Sequence, residues 1–305
     1  MTVATGLRGI LEHDVAMRDY TSWRVGGPAD TLYKPADMED LCAYLKTLPA
    51  NEPLHFIGLG SNLLVRDAGV RGTVIHLHGA LKTLRLEERN GSQPQFGVIY
   101  AEAGVASPKL ARFAASHDLG GSAFLAGIPG TVGGALAMNA GCHGHETWAY
   151  VTHVLSVDRQ GVTNKRTPRE YRVTYRHVDP EERREEWFLA AWFLFPKGDG
   201  EAAREEIKSL LERRQSSQPL DMPNAGSVFR NPPGDFAARL IESCGLKGRR
   251  LGGAQVSEKH ANFIVNLGQA TAADVESLIE AVQAQVQAKT GVELIREVRI
   301  LGEMT

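Results

Sequence analysis

The stretch from Gly127 to Glu146 restricts this chain more than any other: Gly-Ile-Pro-Gly-Thr-Val-Gly-Gly-Ala-Leu-Ala-Met-Asn-Ala-Gly-Cys-His-Gly-His-Glu. Glycines at 127, 130, 133, 134, 141 and 144 fall within it, and its single carboxylate comes at the end. Glycine weakens helices and strands alike, so this density is rarely spent on packing alone. It suits a backbone that presses against a flat ligand and offers it N–H groups. A second segment of the same character, Gly58-Leu-Gly-Ser-Asn-Leu-Leu, follows a short apolar strand. Either segment alone is equally well read as a tight turn. Together they point to one large, phosphate-bearing cofactor.

The totals exclude several classes. At 305 residues the chain suits two or three modules, and 43% hydrophobic with 23% charged residues is ordinary globular composition. A net charge of −2 with dispersed basic residues leaves no electrostatic footprint for nucleic acid. The longest strongly apolar run, Phe188 to Phe195, is too short to span a bilayer, and the N-terminus lacks a secretory pattern. Cys42, Cys142 and Cys244 are odd in number and far apart, which points to a reducing cytoplasm. His143 and His145 have no evident third ligand, so no metal is expected.

Helices and strands mix without strict alternation, which gives an α+β class. Helices are expected over Asp37–Leu48, from Ser107-Pro108 with Ser107 as N-cap, over Glu201–Arg214, from Asp235 to Cys244, and after Thr271 with Asp274 completing a capping box. Val275, Leu278, Ile279, Val282 and Val286 form the core stripe of the last. Strands are expected at Leu54–Ile57, Gly72–Leu77, Phe96–Glu102, near 151–158 and 188–195, at Asn262–Asn266 and at Val292–Leu301. The charged run 179–187 reads as a solvated turn or short helix. No Gly-x-Gly-x-x-Gly opens a helix and no Gly-Lys-Ser/Thr closes a phosphate loop, which argues against a dinucleotide fold and a nucleotide triphosphatase.

Five segments then occur in order: Thr21-Ser-Trp-Arg-Val-Gly-Gly-Pro-Ala-Asp30, Gly58 to Val65, Ala126 to Gly141, Pro223-Asn-Ala-Gly-Ser-Val-Phe-Arg-Asn-Pro232, and Leu246-Lys-Gly with Gly252 to Phe263. With the closing Glu297-Val-Arg-Ile, they span nearly the whole chain and resemble one family, the UDP-N-acetylenolpyruvoylglucosamine reductases (MurB) of bacterial peptidoglycan precursor synthesis. The first three resemble the wider FAD-binding fold of vanillyl-alcohol-oxidase type; the others resemble this reductase. The resemblance implies an FAD-binding subdomain at 1–78 to which a strand at 292–305 returns, a second at 79–199, and an α+β substrate-binding domain at 200–291. Length and the short 142–200 region resemble the shorter variety of the family, without an extra substrate-covering loop.

The same resemblance implies non-covalent FAD, NADPH as co-substrate, a small UDP-sugar substrate, and no obligate protein partner. The family reaction passes hydride from NADPH through FAD to an enolpyruvyl alkene. Ser227 matches the proton donor and Glu297 the catalytic carboxylate. Strand alternation with Ile295 and Leu301 turns Glu297 inward. The catalytic arginine matches Arg176 in Tyr175-Arg176-His177-Val178, where the family has Tyr-Arg-x-Ser; Arg172 competes for the role. A guanidinium suits it because its planar fork grips a carboxylate and stays charged. Gly58, Gly60, Ser61 and Asn62 match pyrophosphate-binding positions, Gly130, Thr131, Gly133 and Gly134 line flavin or phosphate, Asn139 and Gly141 meet the isoalloxazine or adenosine, and Arg24 reaches the phosphates. Asn231 and Lys247 match substrate-binding positions. Two other readings stand beside this one. A related flavin oxidase could attach flavin through Cys142 or His143, and an FAD-binding protein without activity would explain the departure at His177-Val178.

Overall fold

A computed structural model describes residues 6–87 and 94–303. The class is α+β. Its helices are α1 (Met38–Leu45), α2 (Ser107–Ser116), α3 (Val132–Ala137), α4 (Gly200–Ser217), α5 (Ala237–Ser243) and α6 (Ala272–Thr290). Local chemistry sets their ends. Asp37 caps α1 by accepting the Asp40 N–H at 2.9 Å. In α6, Thr271 Oγ1 accepts from Asp274 N while the Asp274 carboxylate accepts from Thr271 N, both at 3.0 Å, and Gly291 at φ +75° stops the helix. Its stripe from Val275 to Val286 is at most 1% exposed. Each such side chain contributes about 1.5–3 kcal/mol.

Two expected caps are replaced. Ser107 is the first residue of α2 rather than its cap: Ala106 is the N-cap, and the Ser107 N–H is committed to Gly130 O at 2.9 Å. The Ser107 Oγ is buried with no hydrogen-bond partner among the described residues. Asp235 does not cap α5 either. Phe236 is the N-cap and the Ala237 N–H reaches Asn231 Oδ1 at 3.1 Å, while Asp235 is held by Arg239 and by the Phe236 N–H.

The chain divides into two units. The first takes the chain up to Glu12, Leu32–Gly58 and Thr73–Glu212. Its main sheet is antiparallel with spatial order Thr163–Arg166, Val151–Asp158, Glu186–Pro196, Phe96–Glu102, Leu84–Glu87. Inward residues such as Val154, Phe193 and Phe195 join Leu110, Ala114, Leu136, Ile207 and Leu210 from α2, α3 and α4 in one core. A second core gathers Leu41, Tyr44 and Leu45 of α1 with Ile75, Leu77, Val157 and Leu189. Beside it, Leu54–Ile57 runs parallel to Thr73–His76. A hairpin, Tyr171–Thr174 with His177–Pro180, completes the unit.

The second unit comprises His13–Thr31, Leu59–Gly72 and Arg213–Thr305. Arg250–Leu251, Ala254–Val256 and Ile264–Asn266 form a small antiparallel sheet. Its core combines Ala254, Val256 and Ile264 with Leu240 and Ile241 of α5 and the α6 stripe. Trp23 is fully buried there and donates its indole N–H to Ile264 O at 2.7 Å. The expected closing strand over Val292–Leu301 is shorter: only Arg299–Leu301 is a strand, parallel to Leu63–Val65. Residues 294–298 follow an irregular path because their main-chain groups serve neighbouring loops instead of a ladder.

Candidate active site

Gly58, which opens the second glycine segment, meets the first segment inside the first unit. A cavity of about 220 Å³ is lined by Gly58, Thr131, Gly133 and Gly134 on one side and by Phe56, Tyr171, Trp187 and Phe188 on the other. A methyl group on Gly58 would collide with the Thr131 hydroxyl, whereas one on Gly134 would meet open space. Glycine is thus required at 58 for close approach of the two loops, and at 134 it leaves room beside the cavity. The Phe56 and Trp187 rings stack at 4.5 Å. Aromatic walls facing the glycine-bearing first turn of α3 suit a planar group such as part of FAD.

The cavity wall contains a group that the charge pattern alone places on a solvated face. Glu186 has only 4% of its side chain exposed and receives Tyr171 Oη at 2.5 Å, Ser156 Oγ at 2.9 Å, Arg166 Nε at 2.9 Å and Arg184 Nε at 3.0 Å. Burial alone would raise its pKa, but these hydrogen bonds hold it below the ordinary carboxylate value. The same burial, with the adjacent Glu186, raises the Tyr171 phenol. The run is a solvated turn over 181–183, as expected, but at Glu186 it ends in the core of a charge network.

Asn139, Gly141 and Arg176 form a second cluster in this unit. The Arg176 guanidinium donates to Gly141 O at 2.6 Å and to Asn139 O at 3.4 Å. Asn139 is 1% exposed, and its side-chain amide donates to Glu146 and to Thr174 O while its Oδ1 accepts from Trp148 N. Arg172, the competing arginine, is exposed and pairs with Asp179 at 3.2 Å.

In the second unit, Gly60 has φ +62° and lies so close to Tyr20 O that any side chain there would collide. Ser61 and Asn62 follow it half-buried, and Arg24 is exposed in a turn at φ +57°. Ser227 is half-buried between Gly226 and the fully buried Val228. Val228 O accepts the Glu297 N–H at 2.8 Å, so the two segments lie side by side. Asn62 Nδ2 donates to Glu297 O at 3.1 Å, and Asn62 O accepts from Arg299 N at 3.0 Å. Strand alternation does not orient Glu297 as expected: Ile295 is 60% exposed whereas Glu297 is half-buried, because no regular strand connects them. Asn231 serves as the acceptor at the start of α5, and Lys247 pairs with Glu242 at 2.8 Å.

Asn262 is a residue that the sequence alone did not single out. Its Oδ1 accepts from Phe229 N at 3.0 Å, its Nδ2 donates to Phe229 O at 2.8 Å, and its own carbonyl accepts from Val228 N at 2.9 Å. A 3% exposed amide so placed clamps the segment carrying Ser227. The available signal was an asparagine opening the apolar run Asn-Phe-Ile-Val.

Comparison with known proteins accounts for both glycine segments and the C-terminal region. Residues 29–165 match the model of an FAD binding domain, and residues 218–301 match that of the UDP-N-acetylenolpyruvoylglucosamine reductase C-terminal domain. The chain is 60% identical over 303 residues to UDP-N-acetylenolpyruvoylglucosamine reductase of Thiobacillus denitrificans, with 97% of this chain and 94% of that protein covered. It is 55% identical to the Methylococcus capsulatus protein of the same name, over 96% of this chain and 93% of that one. The crystal structure of the Thermus caldophilus reductase (MurB) superposes with a TM-score of 0.79 at 33% identity, covering 97% and 99% of the two chains. The chain therefore belongs to the UDP-N-acetylenolpyruvoylglucosamine reductase family, FAD-dependent oxidoreductases of peptidoglycan synthesis.

Proposed function

We propose that this protein reduces the enolpyruvyl group of UDP-N-acetylglucosamine enolpyruvate to the lactyl group of UDP-N-acetylmuramate, with NADPH as reductant. Bound FAD supplies the two-electron carrier that takes hydride from NADPH and gives it to the alkene. Gly58, Thr131, Gly133 and Gly134 would line its site through exposed backbone, supported by the cavity they share. Gly60, Ser61, Asn62, Arg24, Gly130, Asn139 and Gly141 are proposed to complete it. When hydride adds to the terminal alkene carbon, the π electrons move to the neighbouring carbon and into the carboxylate. Arg176 would bind that carboxylate and stabilise the developing charge. Ser227 would give its hydroxyl proton to the carbon; so strong a carbon base makes even a weak acid adequate. Glu297 would orient or assist the proton donor, and Asn231 and Lys247 would hold the nucleotide sugar.

The observation that carries this reading is the hydrogen bond from Glu297 N to Val228 O, which sets residue 297 beside the residue following Ser227. Two broader assignments go with it. The return of the closing strand to the first part is supported by the pairing of Arg299–Leu301 with Leu63–Val65, whereas the division at 78 and 199 rests on the family resemblance, Thr73–Glu212 falling in one compact unit; residues 304–305 lie outside the described chain. The shorter variety of the family is supported by short connections between the strands of 151–196. No helix among the described residues is long and apolar enough to cross a membrane, and we place the reaction in the cytoplasm.

The test uses purified holoprotein without oxygen. NADPH should bleach the flavin, and the enolpyruvyl nucleotide should restore its colour with formation of one lactyl product per flavin. Bleaching without restoration by the nucleotide would overturn the assignment, and rapid restoration only by oxygen would favour an oxidase.

A further inference from the structure

We infer that Glu146 is a positioning residue for Arg176 and acts through Asn139. The inference rests on the reading of Arg176 as the group that meets the substrate carboxylate. Arg176 stands in a poor place for a group whose direction matters. Tyr175 and Arg176 form the two-residue connection between Thr174 and His177, which pair across the hairpin. Arg176 has φ +57°, a conformation disfavoured for a side chain with a Cβ, and Tyr175 is 43% exposed. Within the turn the guanidinium lies 4.9 Å from the Tyr175 ring centre, a contact too weakly directional to fix its aim.

The restraint comes from across the cluster. The Asn139 amide donates to Glu146 Oε2 at 2.8 Å and to Thr174 O at 3.2 Å, tying the base of the turn to the glycine-rich segment. Asn139 O and Gly141 O then take two N–H groups of Arg176. The Gly141 backbone is itself paired with that of Glu146, so the contacts close into a ring of four residues, the arginine among them. Asn139 also adopts a left-handed backbone, φ +40°, which directs its carbonyl while its side chain points to Glu146 and Thr174. The Glu146 carboxylate makes the shortest of the three bonds on this amide and the only one to a charged partner, with Thr174 O also accepting from Nδ2 and Oδ1 receiving the Trp148 N–H. Removing the Glu146 acceptor leaves the amide held only by its two longer bonds, to Thr174 O and from Trp148 N, both at 3.2 Å, and so loosens the carbonyl of Asn139 and the turn that aim the guanidinium.

The experiment follows both half-reactions of the holoenzyme by anaerobic stopped flow. Glu146→Ala should slow reoxidation by saturating enolpyruvyl nucleotide on the order of 10- to 100-fold, the loss that follows from a misaimed group. Because Asn139 is also proposed to meet FAD, the variant is assayed with saturating FAD, and its bleaching by NADPH should fall far less than its reoxidation. Glu146→Gln retains a carbonyl acceptor and should restore most of the rate, while Glu146→Asp, one methylene shorter, should fall between them. Equal rates in the Ala and Gln variants, or equal losses in both half-reactions, would overturn the proposal. Arg176→Ala is measured alongside. If it slows reoxidation and Glu146→Ala does not, only the positioning role falls; if Arg176→Ala itself is silent, the role of Arg176 falls first.

Discussion

Glu186 illustrates what a charge-rich stretch can conceal. In the string Asp-Pro-Glu-Glu-Arg-Arg-Glu-Glu-Trp nothing distinguishes it from its solvated neighbours, since the partners that bury it, Ser156, Arg166 and Tyr171, come from earlier strands. Replacing it by Gln leaves Arg166 and Arg184 without the shared anion and should cost about 3 kcal/mol, measured by chemical denaturation. The acid response draws on many groups with depressed pKa values, of which His76 and Glu186 are two. His76 is pushed down to about 4 from 6.5 by burial, then by Lys34 and His78. The unfolded chain therefore takes up its proton first, and the stability this gives above pH 6.5 is lost as pH falls toward 4. Glu186, held below its ordinary 4.5, extends the loss to lower pH. In His76→Gln the upper part of this decline should become shallower, the rest coming from His78, His153 and His260, which are depressed too; an unchanged profile between pH 6.5 and 4 would contradict the assignment. The residues proposed to meet ligands stand differently: Ser227, Glu297 and Arg176 were named from motifs, whereas Asn262 and Glu146 emerge only from their hydrogen bonds.

Periodic segments were the legible ones. Leu54–Ile57, Phe96–Glu102 and Val151–Asp158 occupy the residues expected, and α6 has both its capping box and its apolar stripe. Thr271→Ala should therefore cost about 1 kcal/mol in denaturant unfolding, because the Asp274 N–H loses its acceptor. No loss would mean that the cap is idle. Elements decided by distant contacts were not legible. The 171–180 hairpin alternates only weakly, and its two-residue turn uses a left-handed arginine where glycine or asparagine would announce a turn. The last strand shrank to three residues because the groups at 294–298 answer to Val228 and Arg230, far upstream in the sequence. The start of α5 likewise depends on Asn231, which no local cap pattern reveals.

Each unit of the chain has its own apolar core, and the first glycine segment adds Ile128, Val132 and Leu136 to one of them while Gly133 and Gly134 face an open cavity. Bound FAD should consequently supply stability that the protein alone lacks. At a free concentration about 100 times its dissociation constant it would add about 2.7 kcal/mol, seen as a lower melting temperature once the flavin is stripped and recovery on its return. Acid precipitation should leave the flavin in the supernatant, as expected of non-covalent binding. The α+β class was readable from the mixed element pattern and a large phosphate-bearing cofactor from the glycine segments, with FAD itself implied by the family resemblance, but the division into two units was not, since each is assembled from segments far apart in the chain. The most direct test of the proposed chemistry is Ser227→Ala in anaerobic stopped flow. NADPH should bleach its flavin at the parental rate while reoxidation by the enolpyruvyl nucleotide nearly stops; equal loss in both steps, or parental reoxidation, would contradict the role of Ser227 as proton donor.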